Sequence, residues 1–160
     1  MAGYGDDAGF TARMTALGRS LPDGAPSPAV LREIGSAYID GTYGLRFPGV
    51  PIGVAQELAW PRAGAADYYG NSIASDAIPA AVVNASYEAA WIEATSPGSL
   101  AVVISDAERV KRLKAGSAEI EYADSSSSSA ADASIPTSSI IEGMLAPFLV
   151  ARNIPFALVV

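Results

Sequence analysis

The sequence predicts a mainly α-helical protein: a small helical bundle with a β-hairpin excursion and an extended C-terminal segment. Three observations predict it. Two stretches, 28–41 and 79–95, repeat apolar residues at helical spacing between recognisable start and stop residues. Between 109 and 122 the apolar period falls to about two residues. The chain has 160 residues, 50% hydrophobic and with no cysteine, so an apolar core has to hold it together without staples. A chain of this length can do so, burying roughly two-thirds of its unfolded surface.

Residues 1–9 are small and acidic and read as a loosely held terminus. Phe10, Met14 and Leu17 share one face of a short helix that stops at Gly18. Pro22, Gly24, Pro26 and Pro28 make 19–28 a loop. Ser27 then stands at an N-cap and Pro28 at the first helical position, where its missing N–H costs nothing. Val30, Leu31, Ile34, Ala37 and Tyr38 follow at helical spacing, and Gly41 marks the end.

The stretch 43–51 reads as an ordered loop, and 54–60 as two helical turns stopped by Pro61. Another loop covers 63–75. The second long helix opens at Pro79 and stops before Pro97. Val82, Ala85, Ala89 and Ile92 form one stripe and Val83, Tyr87 and Trp91 a neighbouring one, with Glu88 and Glu93 as the main polar exceptions. A helix this apolar is buried on several sides or shared with a partner.

Leu100 to Ile104 is a short strand candidate. Residues 109–114 and 118–122 alternate around Ala115-Gly116-Ser117, a plausible hairpin turn, so the excursion spans about 100–123. The first domain is therefore drawn as 1–124. Five consecutive serines within 125–134 make a linker that buries nothing. In 135–160, Ile140, Ile141, Met144, Leu145 and Phe148 return to helical spacing, and an apolar tail follows.

Composition excludes much chemistry. Without cysteine there is no thiol nucleophile or thiolate metal site, and without histidine the commonest general base and metal ligand are missing. No enzymatic activity, metal or cofactor is expected. Asp67, Asn71 and Asp76 lack the dense pattern of a calcium loop and read as solvated or capping residues. Glu119 and Glu121 share a strand face and read as the wet side of the hairpin. Tyr38, Tyr43, Phe47, Trp60, Tyr87 and Trp91 sit among apolar neighbours, as core residues do.

Ten Lys and Arg against 17 Asp and Glu leave a net charge of −7, and no basic footprint for a duplex. No apolar run reaches the ~18–20 residues of a membrane span, and the acidic, glycine-rich start is unlike a signal peptide. The chain reads as soluble, kept in a cytoplasm or in a particle assembled there.

Two segments are candidate contact sites. Arg109, Lys111, Arg112 and Lys114 form one basic strand, which either faces an anion or partner or is a solvated edge protected by its charge. Glu119 and Glu121 on the returning strand supply the opposite sign, so the hairpin is suited to pairing with a copy of itself around a ring. Ile154, Phe156, Leu158, Val159 and Val160 give the tail an uncharged apolar surface expected to be buried against another chain.

Several blocks resemble a domain found in tailed-bacteriophage genomes. They are Ala37-Tyr38-Ile39-Asp40 with Tyr43 and Phe47-Pro48-Gly49, then Gln56-Glu57-Leu58-Ala59-Trp60-Pro61-Arg62-Ala63-Gly64-Ala65. Ile78-Pro79, Val82, Ala85 and Glu88-Ala89-Ala90 follow, with Lys111, Lys114-Ala115-Gly116 and Glu119-Ile120-Glu121-Tyr122 later. The likeness covers about 29–124, with an echo in 140–150.

This domain is labelled a DnaT-like putative single-stranded-DNA-binding protein, and its members also look like head–tail connector, or adaptor, proteins. The connector likeness implies a structural virion protein of the phage neck, assembled in the bacterial cytoplasm. It implies a ring of identical copies, a dodecamer in the implied order, with the portal protein above, a stopper or tail-completion protein below, and double-stranded DNA in passage. No membrane is involved. The other likeness implies a single-stranded-DNA-binding replication accessory protein. An acidic chain with its aromatics in apolar stripes suits the connector better, since like charge keeps passing DNA from sticking.

Overall fold

In a computed structural model of the chain, residues 3–101, 112–115, 118–121 and 138–150 are described. The Ser-rich linker 125–134, most of the 100–104 strand candidate, Arg109, Lys111 and the tail residues Ile154, Phe156, Leu158, Val159 and Val160 lie outside them. Four α-helices dominate: α1 (Asp7–Ala16), α2 (Pro28–Tyr43), α3 (Ala80–Thr95) and α4 (Ser139–Leu145). The class is mainly α, as the sequence predicts.

The architecture grows from the crossing of α2 and α3. Gly35 makes it possible, because a Cβ there would stand 2.3 Å from the Ser86 carbonyl oxygen and 2.8 Å from the Ala90 nitrogen. Ser86 and Ala90 are small in turn, and both are buried. With the backbones this close, large side chains on either flank of the contact form two apolar clusters.

One cluster holds Tyr4, Ile39, Tyr43, Phe47, Trp60, Val82, Ala85, Ala89, Ile141 and Leu145. The other holds Phe10, Met14, Leu31, Tyr87, Ala90 and Ala94, with Phe10 edge-on to Tyr87 at 5.5 Å between ring centres. Burial thus reaches most of the circumference of α3, as its composition implies. Glu88, a polar exception in the sequence, is buried as well, because the Arg19 guanidinium donates to both its carboxylate oxygens at 2.9 Å. A buried carboxylate persists only when paired in this way.

Several boundaries differ from the sequence reading, each for a local reason. Residues 3–9 are held, not loose: Tyr4 is 1% exposed and Asp6 caps α1 by accepting from the Gly9 N–H at 2.7 Å. Ser27 stands at the N-cap of α2 without a side-chain capping bond, leaving Pro28 as the start signal. Gly41 does not end α2; the helix continues to Tyr43, whose ring is drawn into the core, and tightens into a 3-10 turn over Gly44–Arg46. Residues 54–60 form no helix, because the Gln56 side chain occupies backbone groups on both sides of it.

Two short antiparallel pairs complete the fold. Strand β1 (Val50–Pro51) pairs with β2 (Arg62–Ala63), a contact with no sequence signal at two residues per strand. Strands β3 (Arg112–Ala115) and β4 (Ala118–Glu121) form the predicted hairpin. Packing divides the chain differently from composition. Helix α4 shares the core of residues 3–100, while the hairpin belongs to a separate unit.

Two substitutions test this arrangement. Trp60→Ala should cost ~3–5 kcal/mol in urea unfolding, since the ring is wholly buried against Phe47 and its loss leaves a cavity. A loss under about 1 kcal/mol would place the ring at a surface. Gly35→Ala gains ~1 kcal/mol of helix propensity but forces the crossing apart. Overpacking of ~1–3 kcal/mol should win, so this glycine-to-alanine change in a helix interior destabilises.

Candidate functional site

The block Gln56–Arg62 acts inwards as a clamp. Its neighbour Asp40, on α2, accepts from the Tyr4 hydroxyl through Oδ1 and from the Ala59 N–H through Oδ2 at 2.8 Å. The Tyr4 hydroxyl in turn accepts from the Trp60 N–H at 3.1 Å. Arg62 donates from Nε to the Pro48 carbonyl at 2.8 Å, from Nη1 to that of Ala59 at 3.1 Å and from Nη2 to that of Gly49 at 2.8 Å. Gln56 donates to the carbonyls of Leu58 and Pro61 and accepts from the Ile52 N–H at 3.0 Å. Gly49 takes φ +71°, and a Cβ there would meet the Ala63 carbonyl oxygen at 2.4 Å.

Burial sets the electrostatics of this clamp. It pushes the Asp40 carboxyl above the usual carboxylate range, against the Tyr4 hydroxyl, the Ala59 N–H and the Arg62 charge, which pull it down. The Tyr4 hydroxyl rises well above its ordinary value because it is buried and its partner is the Asp40 carboxylate. Desolvation lowers Arg62, against electrostatic interactions with Tyr4 and Asp40 that raise it.

What the clamp holds outwards is a loop of exposed aliphatic residues. Leu45 and Val54 are fully exposed, and Val50 and Ile52 more than half exposed. Beside it lies a cleft of about 230 Å³ lined by Pro48, Ala66, Asp67, Tyr68 and the run Pro147–Val150. The Tyr68 N–H donates to the Pro147 carbonyl at 2.7 Å, and the Val150 N–H to that of Arg46 at 2.8 Å, fixing both walls. Asp67 shapes the rim: Oδ1 accepts from the N–H groups of Tyr69 and Asn71, and Oδ2 from the Asn71 amide, each at 2.9 Å. The Asn71 side chain above all holds its carboxyl below the usual range. Asp67 is thus a capping residue, as expected from the sequence.

The aromatics singled out in the sequence are placed inwards. Tyr38, Tyr43, Phe47, Trp60 and Tyr87 are buried, and Trp91 is partly covered under the Arg19 guanidinium. Tyr68 and Tyr69 are exposed instead, edge-on at 5.4 Å; they escaped the sequence reading because no periodicity marks a loop residue. Three further arginines are likewise committed: Arg19 to Glu88, Arg32 to Asp7 at 2.7 Å and to three N-terminal carbonyls, and Arg46 over the Tyr43 ring.

In the hairpin, the register sets Arg112 opposite Glu121 and Lys114 opposite Glu119. Among the described residues no three Asp or Glu side chains gather as a metal site, and no helix is long and apolar enough to cross a membrane.

Asp40 gives this site a pH signature. Its folded-state pKa lies above the unfolded value of ~3.9, so the folded chain keeps a proton the unfolded chain has lost. Stability from this residue is therefore fullest below about pH 4 and declines as pH rises through the folded value. Asp40→Asn removes the titration, and the stability difference between wild type and variant should shrink from about pH 4 towards pH 7 in parallel urea unfolding. A difference that widens with pH would mean that Arg62 outweighs burial.

No curated protein and no solved structure matches this chain. The family model described as putative DnaT-like ssDNA binding protein matches residues 3–160, from the Tyr4 anchor through the tail. That description supports the strand-binding expectation more than the connector expectation, which it does not address. By this match the chain belongs to the putative DnaT-like ssDNA binding protein family.

Proposed function

We propose that the chain is a structural subunit that works through protein–protein contacts: a head–tail connector, or adaptor, assembled as a ring in the neck of a tailed phage. One observation carries the reading. Five large aromatics that could stack bases are core residues and four arginines are tied to acids, carbonyls or a ring, while large aliphatics stand at the surface on a braced loop. A strand-binding groove needs the reverse, with cations and aromatics outside. The net charge of −7 adds to this, since an acidic conduit lets DNA pass without adhering. In this reading the portal protein and a stopper or tail-completion protein are the neighbours, and the subunit performs no catalysis.

The family description favours a second reading, binding of single-stranded DNA in replication. Its most suitable site is the exposed pair Tyr68 and Tyr69. Asp67 beside them counts against it, because a carboxylate repels phosphate.

Both readings are decided with the purified chain. The connector reading expects sedimentation as a closed oligomer, alone or with a portal ring, and no salt-dependent shift in the anisotropy of a labelled oligothymidylate. Anisotropy that rises at low salt, falls with added salt and is lost in Tyr68→Ala with Tyr69→Ala would replace it with the strand-binding reading.

A further inference from the structure

We propose that the cleft between Pro48, Ala66–Tyr68 and Pro147–Val150 receives the apolar segment 154–160 of a second copy of this chain. The inference rests on the self-assembly in the connector reading and names the surface that would carry it. The cleft holds about 230 Å³. That is below the ~300–1,000 Å³ of small-molecule pockets and on the scale of one or two apolar side chains. Its lining is a proline, an alanine and a tyrosine on one side and Pro147, Phe148, Leu149 and Val150 on the other, with a single acid, Asp67, already occupied by Asn71 and the loop backbone.

The sequence supplies a matching occupant. Ile154, Phe156, Ala157, Leu158, Val159 and Val160 follow Arg152 with no further charge. The described chain stops in the wall of the cleft itself, at Val150. Only Ala151, Arg152 and Asn153 separate that wall from the apolar run. A chain's own segment would have to reverse within those three residues to enter the cleft it has just lined.

A segment arriving from a neighbour meets no such constraint, and it has more to cover. Leu45, Val50, Ile52 and Val54, close to the cleft residue Pro48 in sequence, are all exposed. Seven extended residues span ~23 Å, enough to fill the cleft and reach beyond it. Donor and acceptor are different surfaces, so the contact is head-to-tail and generates a ring when its rotation closes.

The absence of cysteine makes the test direct. Tyr68→Cys places a thiol on the exposed rim and Leu158→Cys places one in the segment. The two single variants are mixed under association conditions and oxidised. The expected product is a disulfide-linked pair containing one of each, with few links between identical variants. The double variant, diluted until monomeric, should stay unlinked. An internal disulfide there, or no link in the mixture, overturns the proposal.

Truncation before Ile154 gives a second, thiol-free readout. The shortened chain should keep its thermal midpoint and lose association by sedimentation. A truncated chain that unfolds shows the segment to be part of its own core, and one that still associates removes the segment from the interface. Linked copies that never join a phage particle sink the neck assignment and leave the docking intact; particle association without the link does the opposite.

Discussion

The fold depends on one buried polar junction, the meeting of Tyr4, Asp40 and the backbone of Ala59 and Trp60. Asp40 is an acid on a helix face that otherwise enters the core, and it is tolerable only because both carboxylate oxygens are met. The Tyr4 hydroxyl supplies one donor and takes the Trp60 N–H in the same step. Three segments far apart in sequence are thereby fixed to one point: the N-terminus, α2 and the long loop before α3. Removing any partner strands the others in an apolar surround, where an unmet polar group costs more than the bond was worth. A junction of this kind specifies one arrangement where apolar packing alone would accept several.

The same logic explains why the block Gln56–Arg62 spends its polar side chains on the fold. Gln56, Trp60 and Arg62 are distinctive residues, yet each turns inwards: Gln56 to backbone groups at 52, 58 and 61, Trp60 into the core, Arg62 onto three carbonyls. A long loop with little regular structure must find partners for its backbone, and side chains supply them here. The loop is thereby braced from within, while Leu45, Val50, Ile52 and Val54 stand exposed at its surface. Exposed aliphatics on a braced loop are the ground for the proposed association with protein.

How much of this was legible follows the range of the forces involved. Helices α2 and α3 were readable because their signals are local: Pro28 at a first turn, Pro97 beyond a last one, apolar residues at helical spacing between. The hairpin was readable from alternation. Tyr4 was misread because its anchoring partners, Ser36, Asp40 and Trp60, lie 32 to 56 residues away and nothing near it is periodic. Gln56–Trp60 was misread as helical because spacing reports the pattern of apolar residues and not which side chain captures the backbone. Glu88 stood out only as a polar exception on an apolar helix, since its partner Arg19 reaches it from 69 residues away.

Charge gives the last step. A chain with ten cations could still bind a strand if those cations were gathered, so net charge alone does not decide against it. Placement matters more. Arg19, Arg32 and Arg62 each hold parts of the fold together, and recruiting any of them to a phosphate would remove a partner from Glu88, from the N-terminal carbonyls or from the loop at 48–59. In the hairpin, the register sets Arg112 opposite Glu121 and Lys114 opposite Glu119. A phosphate would have to compete with Glu88, Asp7 and backbone carbonyls for Arg19, Arg32 and Arg62, whereas an apolar partner reaching Leu45, Ile52 and Val54 displaces only water. Among the described residues, this placement of the arginines is what favours the proposed association with protein over the binding of a strand.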